Sequence, residues 1–157
     1  MIQRIQTIFM LVAVMFVVPL LYLPFATISG QDDILYVMKI WGVYAKTGDV
    51  SSHMLNLLPV MLAFVLSFLI PLVNIFLYKR RKMQIRYNGF AILTNTILIA
   101  VMFYFIEKTN DSLAIEGTHP DYGFALFLPA VSIVMLFLAN RNIKKDEALI
   151  RSVDRIR

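Results

Sequence analysis

Cysteine is absent from the 157 residues. Disulfides, thiolate metal sites and a cysteine nucleophile are therefore excluded. Charge is scarce as well, at 16% Asp, Glu, Lys and Arg, against about 25% in an ordinary soluble domain. Disorder is excluded in turn, because 59% of the residues are hydrophobic and a disordered chain needs the opposite balance. Glycine and proline number six each, too few for a collagen-like or low-complexity chain. No G-x-S-x-G, P-loop or H-E-x-x-H motif occurs, so three common catalytic signatures are missing. The sharpest shortage lies inside the apolar runs. Residues 5–31, 54–78, 87–106 and 122–140 contain no Asp, Glu, Lys, Arg or His. Proton relays and many ion-coupled transporters keep an ionisable group at membrane depth. Carbonyl-lined filters need a glycine-rich irregular backbone, which these runs also lack.

What is present is apolar length. Mean hydropathy is +0.73. Spans are expected around Ile8–Phe25, Met54–Tyr78, Tyr87–Ile106 and Tyr122–Asn140, because about 20 apolar residues at about 1.5 Å each cross the hydrocarbon. Helices satisfy their backbone groups internally, and the runs lack the alternation of a membrane β-barrel. A signal peptide is the rival for the first run. Only Arg4 precedes it, and Thr27-Ile-Ser29 is a poor substitute for an A-x-A cleavage site, so a span is the better reading.

The basic residues orient the chain. Arg4 precedes span one. Lys79, Arg80, Arg81, Lys82 and Arg86 lie between spans two and three, and Arg141, Lys144, Lys145, Arg151, Arg155 and Arg157 follow span four. Of the 15 basic residues, only Lys39, Lys46 and Lys108 remain for the other side. The positive-inside rule puts both termini and the middle link in the cytoplasm. The net charge of +5 is then a topology signal hugging membrane boundaries, and no nucleic-acid partner is expected.

The first outer loop runs from Ala26 to His53. Ile34–Trp41 is β-branched and aromatic, Gly42 interrupts it, Val43-Tyr-Ala45 follows, and Lys46-Thr-Gly48-Asp is turn-like. That pattern predicts a short β-hairpin across the outer helix ends. Trp41, Tyr36 and Tyr44 suit the interfacial aromatic belt, and also a sugar or lipid site. The second outer loop, Glu107–Asp121, is acidic, with a turn at Gly117-Thr-His-Pro120. His53 and His119 lack ligand spacing, so no metal and no cofactor are expected.

Two groups of residues are candidate contacts. Inside the membrane the polar residues are Asn56, Ser67, Asn74, Asn88, Thr94, Asn95, Thr96 and Ser132. The densest cluster, Thr94, Asn95 and Thr96, is a candidate intramembrane polar contact, for a neighbouring helix or for a ligand. At the C-terminal end, Ile143, Leu149, Ile150, Val153 and Ile156 share one helical face, with Lys144, Glu147, Arg151, Asp154 and Arg155 opposite. Ile150, Arg151, Val153, Arg155, Ile156 and Arg157 are the candidate partner-binding set, facing anionic lipid or a docked protein.

The two ends carry a resemblance. Met1-Ile-Gln-Arg-Ile-Gln-Thr-Ile-Phe9 and Lys145-Asp-Glu-Ala-Leu-Ile-Arg-Ser-Val-Asp-Arg-Ile-Arg157, with four spans between them, resemble an uncharacterised family of small four-span inner-membrane proteins of Bacteroidota, a domain of unknown function. The resemblance implies a Gram-negative host and the cytoplasmic membrane, and brings no catalytic residue. Animal claudins share the outline but carry paired loop cysteines, which this chain lacks.

The expected architecture is an all-α membrane protein, a four-transmembrane-helix bundle with a short extracytoplasmic β-element in the first outer loop. Residues 1–140 form the membrane domain and 141–157 a cytoplasmic amphipathic helical tail. The expected function is a non-enzymatic accessory or scaffold subunit of a bacterial inner-membrane assembly, docking a membrane or cytoplasmic protein through its cytoplasmic basic elements. The alternative is a lipid- or small-molecule-binding transporter component.

Overall fold

The structure is a computed structural model, and it describes residues 3–30, 34–47, 50–77, 80–113 and 119–154. It is mostly helical, with one small antiparallel sheet. Helix α1 spans Gln3–Val17 and continues as a 3-10 turn, Val18–Leu21. Strands β1 (Ala26–Ser29), β2 (Leu35–Lys39), β3 (Gly42–Thr47) and β4 (Val50–Asn56) follow. Then come α2 (Leu58–Phe76), α3 (Arg81–Leu113), strand β5 (Asp121–Tyr122), a second 3-10 turn (Phe124–Phe127) and α4 (Leu128–Asp154).

Three stretches are long and apolar enough to cross a membrane: Leu58–Phe76, Met83–Ser112 and Phe124–Ala148. The first run differs from expectation. Its helical part is shorter, Ile5–Leu21, and the expected span end at Phe25 lies in the sheet. Pro19 opens the 3-10 turn, its carbonyl accepts from the N–H groups of Tyr22 and Leu23, and Pro24 follows. Proline offers no N–H to continue a helix. Phe25 N–H instead donates to Met38 O at 3.0 Å, beside the β1–β2 ladder. Span two also starts later than expected, because Leu55 and Asn56 belong to β4 and Pro59 sits in the first turn of α2. Helix α3 has 33 residues, about 50 Å at the helical rise, so it exceeds the hydrocarbon at its ends.

The helices close a ring. Helix α1 packs on α2 and α4, and α3 packs on α2 and α4. Each inward face repeats at alternating steps of three and four, as bundle packing requires. On α1 the buried positions include Gln6, Met10, Ala13, Val17 and, on its 3-10 turn, Leu20; on α3 Gln84, Asn88, Ala91, Asn95, Leu98 and Met102; on α4 Leu128, Ser132, Leu136, Ala139 and Ile143. Ala13, Ala91 and Leu136 meet at mid-bundle, where small residues let helices approach in lipid. The outward faces are apolar as well: Leu11, Met15, Leu62, Leu66, Leu69, Phe90, Leu93, Ile97, Val134 and Phe137 are exposed. A soluble protein does not carry so large an apolar surface outside its core. The molecule is a multi-pass membrane protein.

The sheet caps one end of the bundle, in the order β4-β3-β2-β1-β5. It is larger than the expected hairpin. Four strands come from the α1–α2 connection, and β5 arrives from the α3–α4 connection, pairing Tyr122 with Ala26 and Asp121 with Thr27. Gly42 opens β3 instead of interrupting a strand, since Ile40 and Trp41 make a two-residue turn between Lys39 and Gly42. Ala26, Ile28, Met38, Ile40 and Val43 are buried against Val17, Leu20, Val60, Phe64, Leu98, Met102, Ile106 and Leu126. Gly123 sits where β5 crosses β1. Its N–H donates to Phe25 O at 2.9 Å, and a Cβ there would stand 2.7 Å from Pro24 O, so the close approach requires glycine.

Candidate functional site

Strand alternation gives the sheet a second face. Thr27, Ser29, Leu35, Val37, Lys39, Tyr44 and Lys46 fall on it by register, opposite the buried set. Val37 pairs with Tyr44, Leu35 with Lys46 and Lys39 with Gly42. The two lysines therefore flank the Val37–Tyr44 pair from opposite ends, roughly 14 Å apart at Cα by strand rise and spacing. The chain leaving α1 borders this face at an open cavity of about 950 Å³ lined by Leu21, Tyr22, Pro24, Val37, Lys39, Trp41, Tyr44 and Lys46. That is the upper range of small-ligand sites, and its mix of apolar and aromatic walls with a few polar groups is typical of them. Trp41 Nε1–H donates to Leu21 O at 3.1 Å, which ties the hairpin turn to the end of the first helical stretch. Among the described residues, no carboxylate lines the cavity. The sequence pointed to Trp41 and Tyr44 as belt or ligand aromatics. It did not indicate Leu21, Tyr22 or Pro24, which the sheet brings in from the end of the first run.

A second polar feature runs through the bundle. Asn88 Nδ2–H donates to Leu136 O at 2.6 Å, joining α3 to α4. Asn95 is fully buried, and its Nδ2–H donates to Ala91 O at 2.8 Å. Among the described residues, the Asn88 and Asn95 Oδ1 atoms, both side-chain ends of Asn74, and the hydroxyls of Ser67 and Ser132 are buried without a partner. Pro71, one turn after Ser67 on α2, supplies no N–H to the Ser67 carbonyl. The seam consists of neutral amides and hydroxyls, so it can hydrogen-bond neutral polar groups but cannot carry a proton as an ionised side chain would.

The structure does not bring Thr94, Asn95 and Thr96 together. Only Asn95 faces the interior. Thr94 is half-buried with its hydroxyl on Ala91 O, and Thr96 is exposed with its hydroxyl on Ile92 O, each 3.0 Å away. Neighbours in sequence are about 100° apart on a helix, so a consecutive triplet cannot share a face. Gln84, Asn88 and Asn95, at steps of four and seven, do share one, and that periodicity was the available signal.

Toward its C-terminal end, α4 continues through Asn140 without a break. Ile143 is fully buried with Met10 and Ala139. Asp146 Oδ2 accepts from Gln6 Nε2 of α1, which accounts for an acid on the apolar side of the tail. Ile150, Arg151 and Val153 lie on α4; Arg155, Ile156 and Arg157 lie outside the described residues. His119 is exposed, and among the described residues no three His, Asp or Glu side chains stand close enough for a metal.

One ionisable contact ties the sheet to a helix. Tyr122 donates its hydroxyl to Glu107 Oε1 at 3.2 Å, and its ring lies 5.7 Å from that of Phe103. Desolvation first, then the Glu107 hydrogen bond and negative charge, raise the Tyr122 phenol above its ordinary value.

The chain belongs to the family described as Domain of unknown function (DUF4293), whose profile matches residues 2–156. No curated protein matches the sequence.

Proposed function

We propose that this DUF4293 member is a non-enzymatic, four-span protein of a bacterial inner membrane that binds a lipid or small molecule on its extracytoplasmic sheet. The fourth span is α1 with its 3-10 turn. Ile5–Leu21 meets the lower end of the span range, about 17 residues, and it packs in the ring with the three longer helices. The basic residues of the α2–α3 link and the α4 end favour cytoplasmic placement of both termini. The sheet then lies outside.

The observation that carries the binding reading is the open cavity against Trp41. Belt aromatics alone need no such cavity and no two lysines on its lining. Trp41 is the single tryptophan of the chain and lines the cavity, so intrinsic fluorescence reports on this site and no other. Protein purified in mild detergent and examined by native mass spectrometry should retain a small molecule or lipid. Its removal should shift Trp41 emission, and re-addition should restore it. An emission unchanged by delipidation, with no retained molecule, overturns the reading.

The second reading, an accessory or scaffold subunit, draws on α4. The helix runs to Asp154, well past the last residue of its uncharged run, Asn140, and so carries Ile150, Arg151 and Val153 beyond the bilayer on regular backbone.

A further inference from the structure

We propose that the sheet cavity selects an anionic phospholipid of the outer leaflet, with its phosphate between Lys39 and Lys46 and its first methylenes against Leu21, Tyr22 and Trp41. This rests on the binding function and orientation proposed above.

The first argument is the distribution of charge. The segments assigned outside hold Asp32, Asp33, Asp49, Glu107, Asp111, Glu116 and Asp121, against three cations, Lys39, Lys46 and Lys108. Two of those three line one cavity, and among the described residues that line it there is no carboxylate. Outward lysines run against the positive-inside bias, and a site for an anion gives them a reason to be kept. The third cation, Lys108, stands over the rings of Tyr104 and Phe105 on α3 and takes no part.

The second argument is register. Lys39 and Lys46 approach the Val37–Tyr44 pair from opposite ends of the same face. From those ends, two flexible four-carbon stems reach toward the same floor, and their ammonium groups can hold one anionic group as point charges.

The third argument is continuity with the bilayer. Tyr22 is 76% exposed and Leu23 43%, and both follow the 3-10 turn that ends the α1 stretch. The cavity thus opens at the level where a span meets the headgroups. Its walls pass directly into lipid-facing surface. A free inorganic anion would use the lysines and leave the aromatic and aliphatic walls idle; a neutral amphiphile would use the walls and leave the lysines unpaired. An anionic phospholipid uses both.

The test is Trp41 fluorescence of the delipidated full-length protein in a neutral detergent. It is titrated with a short-chain phosphatidylglycerol, the matching phosphatidylcholine, and inorganic phosphate. Phosphatidylglycerol should bind saturably, at least about tenfold more tightly than phosphatidylcholine, and phosphate alone should leave the emission unchanged. Lys39→Gln with Lys46→Gln should erase that preference, and Lys39→Arg with Lys46→Arg should restore it, each with unchanged far-ultraviolet circular dichroism. Equal binding of both lipids, unaffected by the glutamine pair, overturns charge selection while leaving a lipid-binding function standing. Saturation by inorganic phosphate overturns the amphiphile. Silence toward every probe, with no retained lipid in the native preparation, removes the binding function itself.

Discussion

Asn88 is a residue whose side chain fastens two spans directly. Its amide reaches the Leu136 carbonyl at 2.6 Å in a fully buried position. Such bonds in membrane proteins are worth about 0.6 kcal/mol on average and up to about 1.7. Asn88→Ala should therefore lower unfolding stability in mixed detergent by about 1 kcal/mol. Thr96→Val should change it by far less, because Thr96 is exposed and bonds only its own helix. Equal stability of the Asn88 variant and the parent would show that the link adds nothing. Tyr122 provides a pH-dependent contact. Its phenol is raised in the folded state, so its contribution is complete below the ordinary tyrosine value of about 10. It is lost as pH climbs through the raised folded value. Melting curves of the parent and Tyr122→Phe should lie apart at neutral pH and converge in strong alkali. A constant separation across that range would contradict the assignment.

At the scale of elements, α4 unites what composition divides. The charge density changes sharply after Asn140, yet the helix passes through, and Ile143 and Asp146 still engage α1 and its neighbours. Positions 139, 143 and 146, which face the bundle, step by four and three, and the next steps fall on Ile150 and Val153. A truncation after Ala148 keeps every contact described for α4 and should insert at normal level, measured by immunoblot of membranes. If α4 docks a protein, Ile150→Asp and Val153→Asp should abolish copurification of that partner by setting a charge in an apolar contact. Retention of the partner by both variants would end the scaffold reading of this segment.

Over the whole molecule, the distribution of basic residues and the closing of the ring support the topology proposed above. A reporter fused after Arg157 should be active only as a cytoplasmic enzyme, and one inserted after Thr47 only as an exported one. An exported C-terminal fusion, or a cytoplasmic insertion after Thr47, would reverse the orientation and move the sheet cavity to the other side.

Hydropathy and charge, which depend on local composition, were enough to find helices long and apolar enough to cross a membrane and to locate a β-rich segment between residues 26 and 53. Hairpin pairing around Ile34–Ala45 was legible for the same reason, since alternation and strand propensity act over a few residues. Where the first helical stretch stops was not, because an uncharged run fits strand and helix alike, and Phe25 is drawn into the sheet by the Met38 carbonyl. The fifth strand was not legible either: two residues, Asp121 and Tyr122, carry no periodic signal and become a strand only by pairing with β1. The cavity follows from these long-range pairings. Leu21 and Lys46 stand far apart along the chain, and only the sheet, folded over the helix ends and tied by Trp41 to Leu21, places them on one wall.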